Sequence, residues 1–561
     1  MHKQVIFVLI FSFTFPFIAS DVVGTNGVVV SSKQIASDVG IDIMKKGGNA
    51  IDAAVAVAFA LAVTHPSAGN LGGGGFMVIN FHDGNSTTID FRETAPLNSY
   101  ASMFLDDDGN VIEGLSTLSA LSTGVPGTVY GLGYVHQKYG TLEWNELVLP
   151  AMLLAKYGFS LDNHNVTLLN NDYLKSKLST NQYSKSIFTK KNKYELNEIF
   201  LQEDLSRTLH RIADFGFQEF YYGQTADLLI KCMNKYNGII THEDLDQYRV
   251  VENPPIKFTY RDYNVISMPP SSSGGITLGL ILNQLENFDF SNFTFHDSQH
   301  VHALVESEKR AYADRHQYLG DTKFIDVPSE LLLSDNYAND LYNSIDLHQS
   351  TLSDSIANPE LFFSNESDET THFSIIDSYG TSVSVTTTLN GWFGNGISVE
   401  GAGFLLNNEM DDFSIKPNHP NMYGLIGSKA NEIQPSKRML SSMTPTIVTK
   451  SDGTPYLILG SPGGSTIITT VAQIIVNTID FNMSLKDAVE SKRFHHQWIP
   501  DVIQIEKHSL SNEVINKLKD MGHDIFYRSS IGIGEANCIM IDNNHYYGVG
   551  DSRRGAKAAA Y

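Results

Sequence analysis

Residues 370–376 and 381–388 alternate in side-chain character on either side of the turn-like Asp377-Ser378-Tyr379-Gly380, which places a β-hairpin deep inside a chain of 561 residues. On the second arm, Val383 and Val385 fall on one face and Ser384, Thr386 and Thr388 on the other. Strand side chains alternate with a period of two, so a pairing slip of one residue exchanges the two faces. A plain four-residue turn sets Thr370 opposite Thr387; a five-residue loop, or a bulge near Gly380, sets it opposite Thr388. Only the second arrangement puts both hydroxyls on one side. Sheet register and any chemistry at the open end of the hairpin are therefore one question.

That open end begins Thr370-Thr371-His372 and closes Thr386-Thr387-Thr388-Leu389-Asn390. A threonine hydroxyl is a weak nucleophile, and one remedy is to make the residue a chain N-terminus whose own amine acts as the base. Thr370 is internal, so a nucleophilic role requires a cut between Glu369 and Thr370. The preceding Asn365-Glu366-Ser367-Asp368-Glu369 is polar and suits an exposed, cleavable linker. Further on, Gly460-Ser461-Pro462-Gly463-Gly464-Ser465 precedes Ile467, Ile468, Val471, Ile474 and Ile475, spaced as one helix face. Gly463 and Gly464 then lie at a helix N-terminus, where free N–H groups favour negative charge. Two such donors aimed at one point would stabilise the oxyanion of a tetrahedral intermediate. The plainer alternative is that these glycines only let strand and helix pack closely.

The rest of the chain reads as a large globular protein, with 42% hydrophobic and 18% charged residues. A helix is expected over residues 33–46, stopped by Gly47-Gly48, and a buried one over 50–63. Gly72 to Gly75 precede an alternating strand over 76–81; with no Lys-Ser/Thr after it, this run is read as close backbone packing, not a phosphate loop. Residues 117–360 are mostly helical in pattern, notably 144–156 and 300–319, and strands return after 366. Residues 1–20 run from a positive start through an apolar stretch to Ala19-Ser20, the layout of a secretory signal peptide. Export is expected, with an uncleaved anchor as the alternative. The net charge of −23 argues against nucleic acid or an anionic membrane surface as partner. Cys232 and Cys538 lie on opposite sides of the expected cut, and their pairing is open. The five sequons, at Asn85, Asn165, Asn292, Asn365 and Asn482, decide nothing in a chain this rich in Asn, Ser and Thr. His495-His496 beside Trp498 lacks companions at ligand spacing, so no metal is expected, and His372 is read as structural.

Taken as a set, GGNAIDAAVAVAFAL, NLGGGGFM, DFRETAP, TTH, TLN, LLNNEMDDF, PSKRMLSSMTPTIV, GSPGGS and RFHHQW resemble the motifs of the γ-glutamyltranspeptidase (glutathione hydrolase) family. The resemblance spans nearly the whole mature chain and is weakest between about residues 160 and 360. It implies an α+β N-terminal-nucleophile hydrolase fold with four αββα layers. It also implies a precursor that cuts itself into a large subunit, residues 21–369, and a small catalytic subunit, residues 370–561, which stay together as a heterodimer and build the fold jointly.

The resemblance also implies roles at a site. Thr370 would attack the γ-carbonyl of the donor, its freed amine would take the proton, Thr388 would hydrogen-bond its hydroxyl, and Gly463 and Gly464 would hold the oxyanion. Arg92 would grip the donor α-carboxylate, since a guanidinium fork matches a carboxylate at two points. Ser441 and Ser442 would add hydroxyl donors, and Asn390, Glu409 and Asp412 would receive the α-ammonium. Pro417 to Gly424 is similar to the lid segment of some members, more often bacterial ones, with Tyr423 screening the site from water; this tilts location towards a periplasm or the cell exterior. Implied substrates are glutathione and other γ-glutamyl compounds, with water, amino acids or peptides as acceptors and no cofactor. Two alternatives stand beside this reading: a related amide acylase, of the cephalosporin acylase kind, and an inactive exported protein. The complete glutamyl-reading set argues against the first, and the presence of Thr370, Thr388, Gly463 and Gly464 against the second.

Overall fold

The first half of the chain supplies strands β1 (Ser20–Gly24) and β2 (Val28–Ser31), helices α1 (Gln34–Lys45) and α2 (Ala50–Thr64), and strands β3 (Gly74–Asn80) and β4 (Ser86–Asp90). Among the elements that follow are helices α3 (Trp144–Tyr157) and α4 (Glu203–Phe215), then β5 (Val251–Asn253), β6 (Ile256–Tyr260) and β7 (Tyr263–Ser267). Helices α5 (Gly274–Leu285) and α6 (Ser298–Tyr318) complete this half. Beyond Thr370 come β8 (Thr371–Ile376), β9 (Ser382–Thr388), β10 (Thr446–Lys450), β11 (Pro455–Leu459) and helix α7 (Ile467–Ile479). Strands β12 (Asn537–Asp542), β13 (His545–Gly550) and β14 (Lys557–Ala560) close the chain. The structure, a computed structural model, describes residues 20–357, 370–528 and 532–561. Residues 1–19 of the expected leader, the linker with Asn365, and Glu369 of the expected cleavage site lie outside the described residues.

The strands form two seven-stranded antiparallel sheets, ordered β14-β2-β8-β9-β3-β4-β5 and β1-β13-β12-β11-β10-β7-β6. The region expected to be mostly helical thus also contributes β5, β6 and β7 at the sheet edges. Val28, Val30, Phe76 and Val78 of the first sheet meet Ile266, Ile447, Ile458 and Ile539 of the second in a buried layer between them. Helices α1 and α2 cover the outer face of the first sheet, and α3 packs on α2 and α4 on α3 in the same core as Phe373, Ile375, Val383 and Val385. Helix α5 lies on β6 and β7 of the second, and α6 and α7 pack against α5 in one core with Val265, Val448, Leu457 and Leu459. This is the αββα order the resemblance implies. Cys232 belongs to the first helical core and Cys538 to the second, and both thiols are free. The sequon residue Asn165 is buried, its amide donating to the Thr64 carbonyl at 3.0 Å.

Thr371 pairs with Thr387 and Ile376 with Ser382, leaving a five-residue loop, Asp377 to Thr381. Asp377 organises it: Oδ1 accepts from the backbone N–H groups of Tyr379 and Thr381, both at 3.0 Å. Gly380 adopts φ of +91°, a left-handed value that favours glycine. Asp377 Oδ2 accepts from Ala50 N at 3.0 Å, so the loop also helps cap α2. Continued by one residue, this register sets Thr370 opposite Thr388, the arrangement the sequence required for a shared face.

His372, two residues on, points between the sheets. Ser374 donates to the Asn537 carbonyl at 2.8 Å, so it accepts from Nε2–H of His372 at 3.1 Å, and Nδ1 then accepts from Thr386 Oγ1 at 2.9 Å. Burial lowers the imidazole pKa to about 3, which keeps it neutral. Its ring packs on Gly460, where an added Cβ would fall 2.4 Å from ring atom Cε1. Gly460→Ala is expected to destabilise the protein by about 1–3 kcal/mol through overpacking. A wild-type urea midpoint for the variant would show that the two sheets can part without cost at this point.

Candidate active site

Thr370 and Thr388, though largely buried, line a cavity of about 20 Å³, room for about one water. Arg92, Asn390, Asp412, Tyr423, Ser441, Ser442 and Gly464 line the same cavity. They arrive from distant segments: Arg92 follows β4, Asn390 follows β9, Ser441 and Ser442 precede β10, and Gly464 begins the turn into α7. Of the residues singled out from sequence, Gly463 lies one position beside the lining, and Glu409 lies behind Arg92.

Thr388 Oγ1 accepts from Asn390 N at 2.9 Å, which leaves its hydroxyl hydrogen for another acceptor. Gly463 and Gly464 take φ of +137° and +54° before a short 3₁₀ turn that leads into α7. Among the described residues, neither glycine N–H donates a hydrogen bond. The ring of Tyr423 lies directly on Gly464, where an added Cβ would fall 2.4 Å from it. Tyr423 Oη donates to the Asn390 carbonyl at 2.6 Å, so the side chain spans the cavity. Its segment is tied down by the acidic pair: Asn421 Nδ2 donates to Asp412 Oδ1 at 3.1 Å, and Met422 N to Asp411 Oδ2 at 2.9 Å. Asp411 also accepts from Ser116 Oγ at 2.6 Å, and burial raises its pKa to about 6. Glu409–Asp412 form a 3₁₀ turn, buried through Asp411, that holds the segment over the site.

Arg92 concentrates the charge. Its guanidinium reaches Glu409 at 2.6 Å and Glu93 at 3.6 Å, and makes a short charge-assisted bond to Asp412. Burial alone would lower its pKa, but the three carboxylates hold it above the usual arginine range. One cation cannot keep three buried carboxylates ionised. Burial pushes Glu93 up to about 8 and Glu409 well above the usual range, while Arg92 opposes both shifts. Among the described residues, neither oxygen of Glu93 has a hydrogen-bond partner.

Sequence reasoning passed over Arg315, Ser271 and Ser273. Arg315 lines the cavity from the last turn of α6, donating to Ser273 Oγ at 2.9 Å and to Ser442 Oγ at 3.1 Å. Ser271 and Ser273 lead into α5 and hold the backbone of Ser441: Ser441 N donates to the Ser271 carbonyl at 3.1 Å, and Ser273 N to the Ser441 carbonyl at 2.8 Å. These residues lie where the resemblance is weakest, and no local spacing marks them; only the packing of α6 on α5, and of α5 on the second sheet, brings them in. His495 and His496 serve different neighbours: His495 bonds Thr469 and Gln497, and His496 bonds Asp501 and the Trp498 N–H.

A family model described as gamma-glutamyltranspeptidase matches residues 36–561. The glutathione hydrolase proenzyme of Escherichia coli is 46% identical over 529 residues, covering 94% of this chain and 90% of that protein. Among solved structures, a cephalosporin acylase from Bacillus halodurans superposes with a TM-score of 0.83 at 25% identity, covering 99% of each chain. A γ-glutamyltranspeptidase from Helicobacter pylori is 43% identical, with a TM-score of 0.56 over 57% of this chain and 92% of that one.

The proton on Glu93 has a consequence for stability. A carboxyl whose pKa is raised on folding binds more protons folded than unfolded, so stability falls as pH rises from about 4.5 to about 8. One such group contributes a slope of at most about 1.4 kcal/mol per pH unit. Glu93→Gln removes this titration and is expected to flatten the decline in urea unfolding free energy across the window. Parallel slopes for wild type and variant would place the proton elsewhere.

Proposed function

The chain belongs to the γ-glutamyltranspeptidase family, and we propose that it is a self-cleaving γ-glutamyltransferase and glutathione hydrolase with Thr370 as nucleophile. The observation that carries this reading is the register that sets Thr370 opposite Thr388, in a cavity also lined by Arg92, Asp412, Ser441 and Ser442. The expected products of self-cleavage are a large chain ending at Glu369 and a small chain beginning at Thr370, associated as a heterodimer. Residues 1–20 act as an export leader, and the enzyme works in a periplasm or outside the cell. Among the described residues, no helix is long and apolar enough to cross a membrane.

The chemistry follows from the groups present. The donor binds with its α-carboxylate towards Arg92, Ser441 and Ser442 and its α-ammonium towards Asp412 and Asn390. Glu409, behind Arg92, holds the guanidinium in place instead of touching the ammonium. Thr370 Oγ attacks the γ-carbonyl as the free amine of Thr370 takes its proton, and Thr388 steadies the hydroxyl. The N–H groups of Gly463 and Gly464 carry the oxyanion, a contribution on the order of 3–4 kcal/mol for such a donor. Collapse returns the proton to the leaving amine and leaves a γ-glutamyl ester on Thr370, which water or an acceptor amine then opens. The cavity of about 20 Å³ is too small for a glutamyl group, so the site opens for the donor to enter, and Tyr423 is the lining residue placed to lift. The acylase-like neighbour shares the fold; Arg92 and Asp412, matched to a carboxylate and an ammonium on one carbon, favour glutamyl donors over other amides.

On a denaturing gel the purified protein is expected to give two bands, the smaller beginning Thr370-Thr371-His372, with glutamate released from glutathione. Thr370→Ala should remain one band and release none. A single inactive wild-type chain would refute the reading. In the mature enzyme, Tyr423→Ala is expected to raise hydrolysis relative to transfer by several-fold, and a constant ratio would remove the screening role of the lid.

A further inference from the structure

We propose that Arg315 is a second guanidinium of the donor site, supplying positive charge to the α-carboxylate subsite and holding Ser442 there as a hydrogen-bond donor. The inference rests on the γ-glutamyl reading above. It begins from an asymmetry between the two arginines of the cavity. Arg92 is surrounded by Glu409, Asp412 and Glu93. Arg315, equally buried, makes no ion pair among the described residues; its hydrogen bonds go to the hydroxyls of Ser273 and Ser442. A buried guanidinium with no carboxylate at pairing distance is costly unless an anion arrives to offset it. The cavity it lines is where the donor carboxylate is placed.

The hydroxyls give the charge a direction. Ser442 Oγ accepts from Arg315 Nη2 at 3.1 Å, so its own hydrogen is free to point at an incoming oxygen. Ser273 accepts from Arg315 Nε at 2.9 Å and donates to the Ser441 carbonyl at 2.6 Å, which fixes the backbone between the two serines. Arg315 sits in the last turn of α6, where the carbonyl end of the helix favours a cation. Asp412 lies between the arginines, bonded to Arg92 and close enough to act on Arg315. Once Asp412 turns to the donor ammonium, the carboxylate is left facing both guanidinium groups.

The test compares mature two-chain wild type with Arg315→Met, Arg315→Lys and Ser273→Ala. Each is assayed with a chromogenic γ-glutamyl anilide and with the same anilide bearing an α-carboxamide, and L-glutamate binding is measured by calorimetry. A lost charge-assisted contact predicts that Arg315→Met raises KM for the carboxylate donor, and Kd for glutamate, at least about 10-fold. The carboxamide donor should change less than about 3-fold. Arg315→Lys should recover part of the discrimination, because charge remains while the fork is lost, and Ser273→Ala should show a smaller shift in the same direction. If Arg315→Met does not mature, these two variants carry the comparison alone. Equal losses on both donors, or unchanged glutamate binding, would overturn the proposal. A wild-type enzyme that turns over no γ-glutamyl donor, yet binds glutamate in an Arg315-dependent way, would count against the proposed reaction and uphold Arg315.

Discussion

Main-chain hydrogen bonds join β8 to β2 and β9 to β3, so the hairpin that carries Thr370 is the centre of a sheet whose neighbouring strands lie on the other side of the expected cut. A hairpin alone is marginally stable in water and gains stability from flanking strands and a covered face. Here it has both: β2 and β3 flank it, and Phe373, Ile375, Val383 and Val385 are buried under the helices. The same pairing positions the open end of the hairpin. A break before Thr370 would leave these ladders intact, which is the physical reason the two products of self-cleavage would stay together.

The second dependence is electrostatic. Arg92 lies under the site among Glu93, Glu409 and Asp412, and a buried set of this kind is worth little as net stabilisation compared with apolar packing. Its contribution is preorganisation, since a guanidinium held by Glu409 reaches the cavity in one orientation. Asp412 links this cluster to the segment above the cavity through Asn421, while Asp411 holds Met422. On the proposed reading, donor entry couples three events: Tyr423 leaves the Asn390 carbonyl, Asp412 turns from Arg92, and the carboxylate takes its place. On the same reading, Arg315 gives that carboxylate a second positive neighbour.

Much of the frame could be read from sequence because it rests on short-range rules. The spans of α1, α2 and α3, and the helix after Gly463-Gly464, follow from apolar spacing, and Asn49 with Asp52 supplies the capping box that starts α2. The alternation in β8 and β9 defines faces, and the hydroxyl requirement turns faces into a demand for a five-residue loop or a bulge near Gly380, of which the structure has the loop. Strands β5 to β7 are hidden in a helical region because they are short edge or near-edge strands, of three to five residues, too brief for a clear alternation. Glu409 sat within a matched motif, and its place behind Arg92 depends on how the 3₁₀ turn meets β4.

What the sequence determined by itself is which residue types exist to do the chemistry and which local conformations they prefer, since propensity, period and capping act over a few residues. The tertiary structure alone decided what lies across the cavity from what. Thr370 and Thr388 line one cavity, at the open end of a hairpin whose loop Asp377 organises. Arg315 meets Ser442 across 127 residues of chain because α6 packs on α5, which lies on the second sheet. Such contacts are selected by burial and charge compensation among segments remote in sequence, terms that no local pattern encodes.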